Sequence, residues 1–196
     1  DFHISICMLR VETYRELNAL QMILRDCVED VKRVFEMFVE DGFDPDMFMN
    51  VNFKGLGNFG QRVLFMEHDA DGNYLELLRD LVVERMKPTG LVIDADKDWK
   101  PHCTVAKTSK VKDRAQIKTN KIRDFFDWEF GEHIFENIEL LSMMDKRDSE
   151  GYYKSFATLH WGDHDYKYDD WENLHSGNDI AIRFRDSSDH SRVIKN

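Results

Sequence analysis

The sequence is short of several things, and each shortage excludes something. No run approaches the roughly 18 apolar residues that a membrane helix needs. There are only three cysteines, Cys7, Cys27 and Cys103. An odd number cannot pair completely, and no two stand close enough for a metal-type pair. A reduced compartment is the simplest reading, so an intracellular protein, cytoplasmic or nuclear, is expected. Positive charge is also scarce. The 27 Lys and Arg are outnumbered by 38 Asp and Glu, for a formal net charge of −11. That excludes a general binder of duplex DNA. The chain has neither a basic leader nor an apolar signal region. It opens on the strand-like Phe2-His3-Ile4-Ser5-Ile6, as a trimmed N-terminus would.

What is present is enough for a core. Hydrophobic residues make up 42% of 196 positions, a length that fits one sizeable domain or one domain with two lobes. Charge is unevenly spread: the segment from Lys97 to Arg123 carries nine basic residues against Asp98 and Asp113. Such a patch on an acidic protein suits a small anionic ligand or a short strand. A solvated, Lys-rich loop and helix fits the same composition equally well.

Periodicity sets out the elements. Phe2 to Arg10 reads as a strand. Thr13-Tyr14-Arg15-Glu16 has the form of a capping box. Behind it, Leu17, Leu20, Leu24, Val28, Val31, Phe35 and Phe38 recur at helical spacing as far as Asp41-Gly42, as one long helix or a pair of helices. Strands are expected over 48–53 and 61–67, with a Gly-rich connection between them and a turn at 69–73. A second amphipathic helix carries Leu75, Leu78, Leu81, Val82 and Met86 and stops near Pro88 and Gly90. Strands follow at 102–107, 134–144 and 152–161. The remainder, 162–196, reads as an irregular polar tail. This order predicts an α+β fold with mostly antiparallel sheets.

Two tripeptides share one form: His3-Ile4-Ser5 and His102-Cys103-Thr104. In a strand, residues i and i+2 face the same way. His3, Ser5 and Cys7 should therefore share one face, and His102, Thr104 and Ala106 another. Ile4, Ile6, Met8, Cys103 and Val105 are left for the core. Lys107 has the wrong parity to join His102. Cleaving a phosphodiester in line needs a base on the attacking oxygen and an acid on the leaving oxygen. Histidine serves either way at neutral pH. Two such motifs on adjacent strands would flank one phosphate, with Ser5 and Thr104 hydrogen-bonded to its non-bridging oxygens. The same tripeptides also occur as plain strand histidines with satisfied side chains.

Other patterns carry less. Gly55-Leu56-Gly57-Asn58-Phe59-Gly60 has the spacing of a dinucleotide fingerprint, but a strand follows it where that motif needs a helix. A tight turn beside a cleft is expected instead, with Phe59 near a base. Asp69, Asp71 and Asn73 lack the glycine spacing and closing glutamate of a calcium loop. His160, Asp163, His164 and Asp165 read as a solvated turn, and Asp189-His190-Ser191 as a local polar cluster. No metal and no cofactor is expected. Tyr152 and Tyr153 should lie on opposite faces of a strand, so only one, Tyr153, is a candidate for base stacking.

Taken in order, Phe2 to Leu9, Phe53 to Phe59, Lys100 to Thr104, Phe130-Gly131-Glu132 and Ser149 to Tyr153 resemble the two-histidine (2H) phosphoesterase superfamily. The likeness is greatest to the central domain of A-kinase anchoring proteins and covers most of residues 2–161, within a domain expected over 1–161. It implies a two-lobed fold with mostly antiparallel sheets around a central cleft and helices outside. It implies binding of a nucleoside monophosphate such as AMP or CMP, and cleavage of 2′,5′-linked oligoadenylate in active members. It assigns catalysis to His3 and His102 and phosphate binding to Ser5 and Thr104. Ser5 stands where threonine is more usual. The family's strand before the first motif is missing here. Residues 163–196 carry no apolar stripe of the kind that docks a kinase regulatory subunit, so that partner is not expected of this chain. Three functions follow as expectations: a 2′,5′-phosphodiesterase, an AMP- or CMP-binding sensor, and an interaction scaffold with a vestigial cleft.

Overall fold

The long helix follows from its cap and its stripe. Thr13 Oγ1 accepts from the Glu16 amide at 3.2 Å, and Glu16 Oε2 accepts from the amides of Glu12 and Thr13 at 2.8 and 2.9 Å. That is the reciprocal capping box the sequence predicts. Helix α1 (Tyr14–Glu40) then buries Leu17, Leu20, Leu24, Cys27, Val31 and Val34 along one face. Cys27 takes the fully buried position expected of Val28, which is only half-buried. Helix α2 (Tyr74–Met86) packs beside α1 and buries Leu75, Leu78, Val82, Val83 and Met86. A 3-10 turn over Lys87–Thr89 ends it, closed by Gly90 at φ 72°.

The computed structural model describes residues 3–40, 50–68, 74–94, 98–108, 116–147, 149, 151–160, 165–168 and 178–186. Among them are eight strands: β1 (His3–Val11), β2 (Asn50–Phe59), β3 (Val63–His68), β4 (His102–Lys107), β5 (Glu129–Ser142), β6 (Ser155–His160), β7 (Asp165–Tyr168) and β8 (Asn178–Asp186). They form one sheet in the order β2-β3-β4-β1-β8-β5-β6-β7, and every pairing is antiparallel. The 14-residue β5 pairs β8 and β6 through its second half and β2 through its first. Six strands thereby close into a ring of pairings. The core lies between the sheet and the helices, where Ile4, Leu9, Phe53, Phe135, Ile138 and Phe156 are fully buried. No helix among the described residues is long and apolar enough to cross a membrane. The α+β class with antiparallel strands is as the sequence predicts.

Three expectations are corrected. The Gly-rich stretch is not a turn. Residues Gly55 to Phe59 belong to β2, and only Gly60 to Arg62 turn the chain. The glycines are there for close approach. A Cβ on Gly57 would stand 2.4 Å from the Phe65 ring, and one on Gly55 would stand 2.6 Å from the Phe126 carbonyl oxygen. The segment after Gly162 is not irregular throughout, because β7 and β8 lie in it and β8 sits centrally between β1 and β5. Strand β5 starts at Glu129, five residues before the expected Ile134, because its first half has β2 to pair with. The expected stop at Asp41-Gly42, the turn at 69–73, and the Asp163-His164 and Asp189-His190-Ser191 clusters lie outside the described residues.

Candidate active site

Strands β1 and β4 run antiparallel with Ile4 paired to Cys103. Both of those side chains are fully buried on the helix side. Their neighbours therefore present the other face: His3 falls across from Thr104, and Ser5 across from His102. All four are half-buried. Directly opposed residues in such a pair are about 4.5–5.5 Å apart and diagonal ones roughly 7–8 Å. The two histidines take the diagonal, and the two hydroxyls take the other. Alternation then stops: the register with β8 shifts between Ser5 and Cys7, and both Ile6 and Cys7 are buried. Cys7 thus does not continue the row as expected. Lys107, at the far end of β4, is exposed.

Each histidine is held differently. His102 Nδ1 lies 2.7 Å from the Lys100 carbonyl oxygen. A carbonyl only accepts, so Nδ1 carries the proton and the lone pair of the neutral ring is on Nε2. Phe59 and Phe65 stack at 4.3 Å between ring centroids and meet the His102 ring edge-on at 5.0 and 5.1 Å. They fix its plane. His3 is pushed from 6.5 down to about 3, first by burial and next by the Arg183 guanidinium, with His102 and Arg147 adding to the effect. His3 is therefore neutral at physiological pH.

A cavity of about 310 Å³ opens on the His102 side, walled by Ser5, Phe59, Trp99, Lys100 and His102. That is near the lower end of small-ligand sites, roughly 300–1,000 Å³. Trp99 is anchored by its indole Nε1, which donates to the Ser5 carbonyl at 2.8 Å, and Arg79 lies over its ring at 5.8 Å. Phe59 lines this cavity with 41% of its surface exposed, so it stands beside the site. Tyr153 lies on the opposite flank. It sits before β6 rather than in a strand, so face alternation does not govern the tyrosine pair. Tyr152 is buried and donates its hydroxyl to Glu139. Tyr153 is half-buried, with the guanidiniums of Arg147 and Arg183 over its ring at 4.2 and 4.6 Å.

Sequence reasoning missed Trp99, Arg147 and Arg183. Nothing local marks Trp99 or Arg147. Arg183 had a signal, since Ile180, Ile182 and Phe184 alternate with Ala181, Arg183 and Arg185 as a strand requires.

Residues 1–161 match the family described as the AKAP7 2′5′ RNA ligase-like domain. The human A-kinase anchor protein 7 isoform gamma is 26% identical over 167 residues, which cover 81% of this chain and 45% of that protein. The chain thus spans less than half the length of this relative. With most of its length matched and its two His-x-hydroxyl segments paired in one sheet, the chain belongs to the AKAP7 2′5′ RNA ligase-like family of 2H phosphoesterases.

Proposed function

We propose that this chain is a metal-independent phosphodiesterase that cleaves 2′,5′-linked oligoadenylate, or a related short RNA or cyclic phosphate, with His3 and His102 as its acid–base pair. One observation carries the reading. The antiparallel pairing about Ile4 and Cys103 sets two His-x-hydroxyl faces side by side. A phosphate seated over that face accepts hydrogen bonds from Ser5 and Thr104. His3, already neutral, takes the proton of the attacking ribose hydroxyl or water. His102, when charged, keeps its Nδ1 proton on the Lys100 carbonyl and delivers the Nε2 proton to the leaving 5′-oxygen. The bond from phosphorus to the 5′-oxygen breaks as the new phosphorus–oxygen bond forms. The nucleoside occupies the cavity between Phe59 and Trp99, and a two-lobed cleft shields the reaction from bulk water.

A specific observation favours a second reading, in which the site is an AMP- or CMP-binding sensor with little turnover. A base held near 3 is a weak proton acceptor, and general-base efficiency falls with basicity. A bound phosphate opposes this by favouring the imidazolium, so ligand-free basicity sets a lower limit.

Cleavage of 2′,5′-linked triadenylate in EDTA, with the 3′,5′ isomer alongside, separates the two. The wild type is expected to cleave the 2′,5′ substrate, and the doubly substituted His3→Ala, His102→Ala protein to lose at least about 10³-fold. Folded wild type that binds AMP but cleaves neither isomer establishes the sensor. Cleavage that survives both substitutions removes the histidines from the mechanism.

A further inference from the structure

The face that carries the histidines continues past β1 onto β8. Arg183 stands across from Ser5 on one side and across from Glu139 on the other. Only 6% of it is exposed, yet among the described residues its Nε and Nη1 meet no hydrogen-bond partner. Its remaining contacts are the Met143 sulfur, a weak acceptor 3.4 Å from Nη2, and the Tyr153 hydroxyl. Arg147 comes in from the loop after β5. It donates to the Gly151 carbonyl at 2.9 Å and to the Tyr153 hydroxyl at 2.6 Å, and its guanidinium covers the same Tyr153 ring as Arg183. Two cations thus share one aromatic ring. The charge of both reaches His3, where each opposes protonation.

A buried guanidinium with idle donors is costly unless something supplies acceptors. Two like charges over one ring add repulsion. An anion with several oxygens answers both, because guanidinium donors match phosphate oxygens in pairs. The phosphate between His3 and His102 already has Ser5 and Thr104. Arg183 lies on the other flank of β1, away from the Trp99 cavity.

We propose that Arg183, Arg147 and the Tyr153 ring form a second anion subsite beside His3, which holds a phosphate of the ligand other than the one between the histidines. The ligand is then a chain with at least two phosphates, such as an oligonucleotide with a terminal phosphate, rather than a cyclic or single-phosphate nucleotide. This rests on the paired-histidine reading above. Arg183 also lies beyond the residues matched by the family, so membership does not assign it this role.

The experiment measures binding calorimetrically in the His102→Ala background, where turnover does not interfere. The ligands are 2′,5′-diadenylate without terminal phosphate, the same core with a phosphate at either terminus, and inorganic pyrophosphate. One terminally phosphorylated form is expected to bind at least 10-fold tighter than the bare core. Arg183→Gln should abolish that gain while changing bare-core affinity less than 3-fold. Arg147→Gln, at an exposed position that leaves folding intact, should reduce the gain in part. The subsite is overturned if neither phosphorylated form binds tighter, or if the gain survives both substitutions. If the bare core does not bind at all, the paired-histidine reading fails, and pyrophosphate decides the subsite alone. Binding lost on Arg183→Gln or Arg147→Gln supports it, and no binding overturns it.

Discussion

His3 and His102 stand on neighbouring strands in unlike surroundings, and their chemistry diverges because of it. His102 has a carbonyl at Nδ1 and two phenyl rings around it. His3 is enclosed next to the arginines and is depressed to about 3. This has a consequence for stability. The unfolded chain binds a proton at His3 below about 6.5, and the folded chain does so only below about 3. Between those values the unfolded state holds more protons, so stability falls as the pH drops through the window. The cost is about 1.4 kcal/mol per pH unit for a single proton. His3→Gln removes the group, and chemical denaturation from pH 7 to 4 should show the variant losing less stability than the wild type. Parallel losses for the two proteins would mean that His3 titrates normally. Gly57→Ala acts from the other flank. Its new methyl would press on the Phe65 ring and Glu67 Oε1 at 2.4 and 2.5 Å. Overpacking costs about 1–3 kcal/mol. Because Phe65 braces His102, the proposed phosphodiester cleavage, measured well below the melting temperature, should fall as well; unchanged cleavage would sink that link. At this scale the histidines and hydroxyls were legible, because parity places them whatever the fold. The arginines were not, because a guanidinium acquires its role from what lies across the sheet.

Among the elements, β8 matters most and was least visible. Its sequence partners are remote, and the Asp- and His-rich residues before it read as solvated chain. Yet β8 pairs with β1 through Val11↔Asn178 and with β5 through Ser142↔Ile180. Ile182 is fully buried in the core between them. Ile182→Ala should cost about 2–5 kcal/mol. For a chain of this size, each kcal/mol lowers the melting temperature by roughly 2–4 °C. A shift below about 2 °C in a circular-dichroism melt would show that β8 contributes little to the global fold. Helix α1, by contrast, was legible from end to end within the described residues. Its cap is a four-residue pattern and its stripe repeats six times along the chain, so both signals are local. Strand β2 was misjudged because glycine usually signals a turn. Here it admits Phe65 and the Phe126 backbone at distances no side chain allows.

For the whole molecule, the ring of pairings makes a cooperative unit, and the cysteines can report on it. Cys7 lies in β1, Cys103 in β4 and Cys27 in α1, and all three are buried and outside any disulfide. Burial raises the thiols of Cys7 and Cys27 to about 12. Only thiolate reacts with disulfide reagents, and free cysteine ordinarily ionises near ~8.5. At pH 8 the native protein should therefore resist labelling with an aromatic disulfide and react with all three thiols once denatured. Cys103 lies behind the face that carries the histidines and becomes accessible when β4 separates from β1, whereas Cys7, paired to Ile182 of β8, also lines the cavity beside Ser5 and His102. Cys27 needs α1 to leave the sheet. If the ring opens as one unit, the three sites label at a common rate that rises with denaturant along the same slope as global unfolding. A nucleotide bound across β1 and β4 should slow all three equally, because it stabilises only the closed state. Rapid labelling of Cys103 with Cys27 still protected would break this picture: β4 would then separate from β1 while the helix stays docked, and His102 would be a mobile partner to a fixed His3.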